Sequence, residues 1–375
     1  NDNINNNAFL LTMFNTGPTF VDYVFGADQQ LASGATVLTW INNGGHWENT
    51  AQWSAGVDFG FFNNRLNGSL DAFIRDTQDM LMSVNAPAHV GNRYPAMANE
   101  VRNKGIEISL NYDNSIGRDF HYSIGGNVSF IDNKLTHLNG GSVIRSNYDG
   151  VQVVDEGHSL NYFWGYRYEG VYRSDEEVLE HLSGYNAANT HFHAGDARYA
   201  DINNDGIIDS NDRVDLGNSI PWLNYGINLA AYWKNFDLQL FFQGVGGNKI
   251  YNQKRMQLES NGSSSVLSPV MADVWTTDNP DGSLPNAVNS VNYYTSDRFL
   301  ESGSYFRLKN LQLGYSLPRN LIGKAGFQNC RLYLQGGNLF TVTKYTGFDP
   351  EVSGGVDYGN YPQSRTFIFG INITY

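Results

Sequence analysis

Hydrophobic and polar residues alternate with period two over long stretches of the chain, most regularly at its end. From Thr366 to Tyr375, the residues Phe367, Phe369, Ile371, Ile373 and Tyr375 fall on one face, while Thr366, Gly370, Asn372 and Thr374 fall mostly on the other. Successive side chains of a strand point to opposite sides, so this spacing predicts a β-strand with one apolar face. The pattern recurs at Ile106, Ile108, Leu110 and Tyr112 against Glu107, Ser109 and Asn111. It recurs again at Tyr122, Ile124, Gly126, Val128 and Phe130 against His121, Ser123, Gly125, Asn127 and Ser129. Two more copies follow, Leu223 to Trp233 and Phe236 to Gln243. Strands of soluble sheets run to about five or six residues, whereas a tilted strand crossing a bilayer needs about 9–11, which is the length of these runs.

The connections alternate in length. Asn63-Asn64, Asn114 to Asp119, Lys234-Asn235 and Arg319 to Gln328 are short; Leu81 to Glu100, Thr136 to Pro221, Asn252 to Ser302 and Thr346 to Ser364 are long. Short turns on one side of a membrane and long loops on the other define an up-and-down transmembrane barrel, so the predicted fold is all-β and antiparallel. Nine crossing strands are expected, the last ending at the periplasmic, short-turn side. The chain then divides into an extracellular loop region at 1–50, barrel strands at 51–135, an extracellular excursion at 136–222 and C-terminal barrel strands at 223–375. Tyr162 to Arg173 also reads as a strand, but the parity of the later strands requires that it not cross. Ser174 with Glu177 three residues on forms a capping-box signature, predicting a short helix with Glu176, Glu177 and Glu180 on its solvated face.

Composition changes the picture in three ways. A mean hydropathy of −0.40 would suit a soluble protein, yet a barrel with one apolar and one polar face averages to the same value. Aromatic residues make up 14% of the chain, led by 23 Tyr and 22 Phe, and 40 Gly suit many turns. No run approaches the roughly 18 apolar residues of a spanning helix, so any crossing is by strands. The net charge of −13 excludes a nucleic-acid groove. The single Cys330 has no internal disulfide partner and reads as a packing residue. His191 and His193, flanking Phe192, read as surface histidines. No nucleophile motif or phosphate-cradling glycine loop occurs, so no active site is predicted.

One local motif carries chemistry. Asp201, Asn203, Asp205, Asp209 and Asp212 place side-chain oxygens at positions 1, 3, 5, 9 and 12 of a twelve-residue loop, with Gly206 at position 6 and the Ile207 carbonyl at 7. A hard divalent cation takes six to eight oxygens, and this EF-hand-like spacing wraps them around one point. Calcium is the expected structural ion, with magnesium as the alternative. The departures are Asp212 where a longer Glu usually reaches bidentately, and the lack of flanking helices.

Several blocks together resemble the SusC/RagA-like TonB-dependent transporters of Bacteroidetes. They include Trp47-Glu48 with Gln52, Gly56, Asp58 and Phe59; Asn63-Asn64-Arg65-Leu66; Val101-Arg102-Asn103-Lys104-Gly105-Ile106-Glu107; and Gly195-Asp196 leading into the 201–212 loop. Further on come Phe236-Asp237-Leu238, Gly303-Ser304-Tyr305-Phe306-Arg307-Leu308, Leu313-Gly314-Tyr315, Gly337-Asn338-Leu339-Phe340, Asp349-Pro350-Glu351 and the terminal strand. The resemblance implies an outer-membrane barrel of about 22 strands with a plugged lumen. It also implies import of glycans, oligosaccharides or peptides, no enzymatic step, a SusD-like lipoprotein lid, and coupling to TonB through an N-terminal part. Nine strands do not close an even-stranded barrel, and the chain opens on Asn1-Asp2-Asn3-Ile4 without a signal peptide, so further barrel and plug are expected elsewhere in the polypeptide. Trp275, Tyr293 and Tyr294 are candidates to stack on substrate, against a reading as ordinary loop packing. The competing functions are a passive porin-like channel and a secreted calcium-binding β-rich carbohydrate module.

Overall fold

Nine long strands form one antiparallel sheet: β1 (Asn49–Phe61), β2 (Leu66–Val84), β3 (Tyr94–Ile116), β4 (Phe120–His137), β5 (Leu223–Trp233), β6 (Phe236–Gly246), β7 (Tyr305–Ser316), β8 (Asn329–Thr343) and β9 (Thr366–Thr374). Each pairs with the next in the chain, giving the expected nine-strand meander. This computed structural model describes residues 47–84, 94–138, 144–146, 150–183, 191–260, 269–323 and 326–375, with short pieces before residue 40. In the 1–50 region, Met13–Asn15 pairs with Thr36–Thr39, and Tyr23–Phe25 with Gln30–Ala32.

Several boundaries differ from those read in the sequence. The strands β2 and β3 continue into the segment expected as a long loop, to Val84 and from Tyr94; residues 85–93 lie outside the described residues. Cross-strand pairing continues there although the alternation has faded, because backbone bonds do not depend on side-chain pattern. For the same reason β3 runs on to Ile116, the turn shrinks to Gly117–Asp119, and Tyr112 lies inside the strand. Tyr162 to Arg173 does not cross. It breaks into Tyr162–Gly165, paired with Val214–Asn218, and Tyr168–Val171, paired with Ala197–Tyr199. The expected helix is α1 (Asp175–His181), and the Ser174 side chain accepts from the Glu177 amide. Glu177 is not solvated as expected: its carboxylate is half-buried, accepting from the Arg173 amide and from Arg198 Nη1, both at 2.7 Å.

The register sorts the side chains into rows. Ile116, Phe120, Trp233, Phe236, Tyr315, Leu332 and Ile371 are successive cross-strand neighbours. Tyr112, Ile124, Leu229, Leu240 and Leu311 form a parallel row on the same face. Many of the apolar side chains on this face are exposed, including Trp53, Val57, Ile106, Leu110, Leu334, Phe367 and Phe369. Between Ile116 and Ile106, ten residue steps at about 3.4 Å each give roughly 34 Å of strand, or about 25 Å of height at a tilt near 40°, the apolar band of a membrane barrel. The opposite face carries Asp113, Ser123, Gln239, Gln312 and Gln335 in one row. There Arg331 reaches past Gly314 to Asp237, with Nε–Oδ1 at 2.9 Å; a Cβ on Gly314 would lie 2.3 Å from that carboxylate.

Four directly opposed pairs place an aromatic ring over a glycine: Phe59 over Gly68, Phe73 over Gly105, Tyr225 over Gly244 and Tyr333 over Gly370. Each ring covers backbone that the glycine would otherwise leave bare, a device that also pins register. A Cβ at Gly370 would meet the Tyr333 ring at 2.2 Å. Gly370→Val is therefore expected to displace that ring and destabilise the barrel by about 1–3 kcal/mol. The check is the denaturant midpoint of the folded, heat-modifiable band on a gel; an unchanged midpoint would contradict the pairing.

Candidate functional site

At the long-connection end the polar face is covered by its own loops, and three groups of charges hold them there. On β7, Arg307 is 2% exposed; it donates from Nη1 to Glu351, from Nη2 to Asp349 and from Nε to Thr341 Oγ1, at 2.7, 2.7 and 2.8 Å. Lys309 Nζ adds a contact of 3.2 Å to Glu351. Burial would raise the Asp349 carboxyl, but the amides of Glu351 and Gln363 and the Arg307 guanidinium hold it below the usual range. Asp349-Pro350-Glu351 thus fastens the 344–365 connection to the wall. The second group lies on α2 (Gln253–Glu259), where Glu259, 1% exposed, pairs with Arg298 and Arg255 at 2.7 Å each. Glu301 joins it to the neighbouring loop by accepting from the Thr346 amide and hydroxyl, both at 2.7 Å.

The third group is centred on Asp196, which is fully buried. Its carboxylate accepts from the His193 amide and from the side-chain amides of Asn286, Asn289 and Asn292, at 2.8, 2.5, 2.7 and 3.0 Å. A buried carboxylate is tolerated when hydrogen bonds replace its water, and here they lock the 138–222 excursion to the 247–304 connection. Asp196 falls in a stretch shared with the resembling family, and nothing adjacent to it in sequence marks this role. The available signal was the three-residue recurrence of Asn286, Asn289 and Asn292.

Around Asp196 lies an apolar cluster of Tyr166, Tyr172, Val178, Phe192, Tyr199, Ile208 and Val291. Tyr294 belongs with it, stacked on Tyr166 and Tyr199 with centroids 5.4 and 5.8 Å apart. The Trp275 ring lies against Gly195, where a Cβ would come within 2.1 Å. Tyr293 donates its hydroxyl to the Glu259 carbonyl at 2.9 Å, and burial pushes its phenol up to about 12. All three candidate stacking residues are therefore engaged in joining loops. His191 and His193 are exposed on either side of buried Phe192, and Cys330 is buried in β8. Beside α2 a cleft of about 730 Å³ opens between Leu258, Leu284, Phe348, Lys254 and Asp357.

The 201–212 loop takes up the turns its sequence implies. Asp201 accepts from the Asp205 and Gly206 amides at 3.2 and 2.7 Å, Asn203 from Asp205 at 3.0 Å, and Asp205 from Ile207 at 2.9 Å. Asn204 and Gly206 have φ of +59° and +74°. Asp209 caps the turn Ser210–Asp212, and buried Asp212 accepts from the Ile202 and Asp209 amides at 3.0 and 2.8 Å. The carboxylates are thus turned to the loop's own amides. Among the described residues no three Asp, Glu, His or Cys side chains converge as a metal cage.

Two outcomes follow for the mouth. Asp196→Ala leaves four donors without their acceptor, at a cost of about 2–5 kcal/mol to the local packing, so limited proteolysis should cut the 191–199 and 286–292 segments sooner; wild-type resistance would contradict the hub. Tyr293, raised from 10.0 to about 12, gives stability that is full below pH 10 and is lost as pH rises through about 12. Ultraviolet titration should show one tyrosine fewer ionising near pH 12 in Tyr293→Phe than in the wild type, where Tyr162 also ionises.

The family model described as "TonB dependent receptor-like, beta-barrel" matches residues 14–245, more than half of the chain. TonB-dependent receptor P3 of Formosa agariphila is 34% identical over 94% of this chain and 36% of its own length. TonB-dependent receptor SusC of Bacteroides thetaiotaomicron is 27% identical over 100% of this chain and 36% of its own. Among solved structures, the RagAB peptide importer in its closed-closed state aligns with a TM-score of 0.76 at 26% identity, covering 97% of this chain and 38% of that one. The chain spans little more than a third of the length of these relatives. It belongs to the TonB-dependent receptor-like β-barrel family of the outer membrane, as a SusC/RagA-like member.

Proposed function

We propose that the receptor containing this chain imports an oligosaccharide or a peptide across the outer membrane, drawing energy from TonB. The observation that carries this reading is a wall apolar on one face and polar on the other, topped by two interlocked excursions, in a chain of the TonB-dependent receptor family. In this reading the polar rows line the lumen around a plug, and the outer edges of β1 and β9, unpaired within the described sheet, pair with strands from the part of the relatives that this chain does not cover. The ordered excursions would seat a SusD-like lipoprotein lid. Of these two cargoes, the peptide is supported by the structural likeness to a RagAB peptide importer. The role is transport, and no catalytic step is assigned to the chain. Uptake of labelled oligosaccharide or peptide pools by whole cells should fall to background when either the receptor or TonB is deleted. Uptake that survives loss of TonB would make the protein a passive channel.

For the 201–212 loop we propose calcium held by Asp201, Asn203, Asp205, Asp209, Asp212 and the Ile207 carbonyl. The support is the ligand spacing and the concentration of four aspartates, none of which forms an ion pair among the described residues; the ion pairs described within the 138–222 excursion are those of Arg198 with Glu169 and Glu177 and of His158 with Asp215. An affinity of about 0.1–1 mM would suit an external loop. Calcium should protect the loop from protease in the wild type and not in Asp201→Ala/Asp205→Ala, with barrel assembly intact in both. Equal protection with calcium and with a chelator would remove the ion from the account.

A further inference from the structure

The lipid-facing side of the wall carries a feature that transport does not use. By register, Ile74, Lys104 and Asp132 are cross-strand neighbours on the same face as Ile106 and Phe130, and Asp76, Arg102 and Lys134 form the next row toward the outer surface. These rows begin one pair above the top of the apolar band. At about 3.4 Å per residue and a tilt near 40°, they lie roughly 5 and 10 Å above it, at headgroup height. Arg102 is paired with Asp76 at 2.6 Å and Lys104 with Asp132 at 3.3 Å, while Lys134 has no ion-pair partner among the described residues. Three exposed cations thus cluster on two adjacent strands of a chain whose net charge is −13. Directly below them a groove of about 520 Å³ is lined by Ala72, Ile74, Ile106, Phe130 and Trp222, with Trp222 stacked on Phe130 at 6.0 Å. Ala72, small beside its larger neighbours, leaves the groove its floor.

We propose that Arg102, Lys104 and Lys134 bind the phosphorylated headgroup of an outer-leaflet lipid, one of whose acyl chains lies in the groove beneath. Cations at headgroup height attract anionic lipid, and a phosphate accepts from all three without breaking the neutralised pairs below it. The groove supplies apolar contact to a chain arriving from the same molecule, and Trp222 sits where indole rings favour the membrane interface.

The test uses the complete receptor in detergent and, as probe, a bisphosphorylated, multiply acylated glucosamine-disaccharide lipid, with bound lipid counted by native mass spectrometry. Heat-dependent gel mobility confirms folding of every variant. Arg102→Gln/Lys104→Gln/Lys134→Gln should weaken binding about tenfold or more, and removing both phosphates from the lipid should weaken it similarly in the wild type. Lys134→Gln alone, which breaks no described ion pair, should give a smaller loss in the same direction. Ala72→Phe, filling the groove, should reduce binding while leaving the phosphate dependence in place. Equal binding by the triple variant, indifference to the phosphates, or no effect of Ala72→Phe would each overturn the proposal. The measurement reads binding and not uptake, so its failure is distinct from failure of the transport reading.

Discussion

In hydrocarbon, each backbone N–H or C=O without a partner costs several kcal/mol, and the architecture of this chain follows from meeting that cost. Every interior strand of the nine is paired with both of its neighbours, and the short two- and three-residue turns at Lys234-Asn235 and Gly117–Asp119 leave almost no unpaired backbone between neighbours. The sheet's register then determines everything that faces outward or inward. Because the side-chain period is two, a slip of one residue would exchange the Phe120–Trp233–Phe236 row with the Gln239–Gln312–Gln335 row. The aromatic rings laid over Gly68, Gly105, Gly244 and Gly370 oppose such slips, since only the native pairing sets ring over glycine.

The same accounting governs the loops, with buried charge in place of backbone. Long connections outside the membrane have no sheet to hold them, and here Arg307, Glu259 and Asp196 act as three buried anchor points. Arg307 is matched by Asp349 and Glu351 of the last connection and Asp196 by three asparagines of the 247–304 connection, while Glu259 binds Arg298 and Arg255 within its own connection. A buried charge left without its partners is costly, so these networks specify one arrangement of the mouth.

Much of the wall was legible in the sequence because alternation reports directly on a strand with unlike faces. The strand count and the exclusion of Tyr162 to Arg173 from the barrel came from parity of the connections, which is a global property and insensitive to boundary errors. Boundaries themselves were misplaced where a strand continues after its alternation has faded, as in Met80 to Val84 and Asp113 to Ile116. The organisation of the mouth was not legible. Asp196 meets asparagines about 90 residues away; their three-residue recurrence marks one side of the contact, and nothing local to Asp196 names its partner. Glu177 read as solvated because Arg198, which buries it, comes from a strand 21 residues further on.

The central claim, that this sheet separates lipid from a polar lumen, is tested most directly by spin labels placed singly along β3 of the complete receptor in bilayers. Labels at Ile106, Ile108 and Leu110 should be relaxed by oxygen dissolved in the lipid, and labels at Glu107, Ser109 and Asn111 by a water-soluble nickel chelate, in strict alternation. Uniform access of the chelate to both sets would contradict the account.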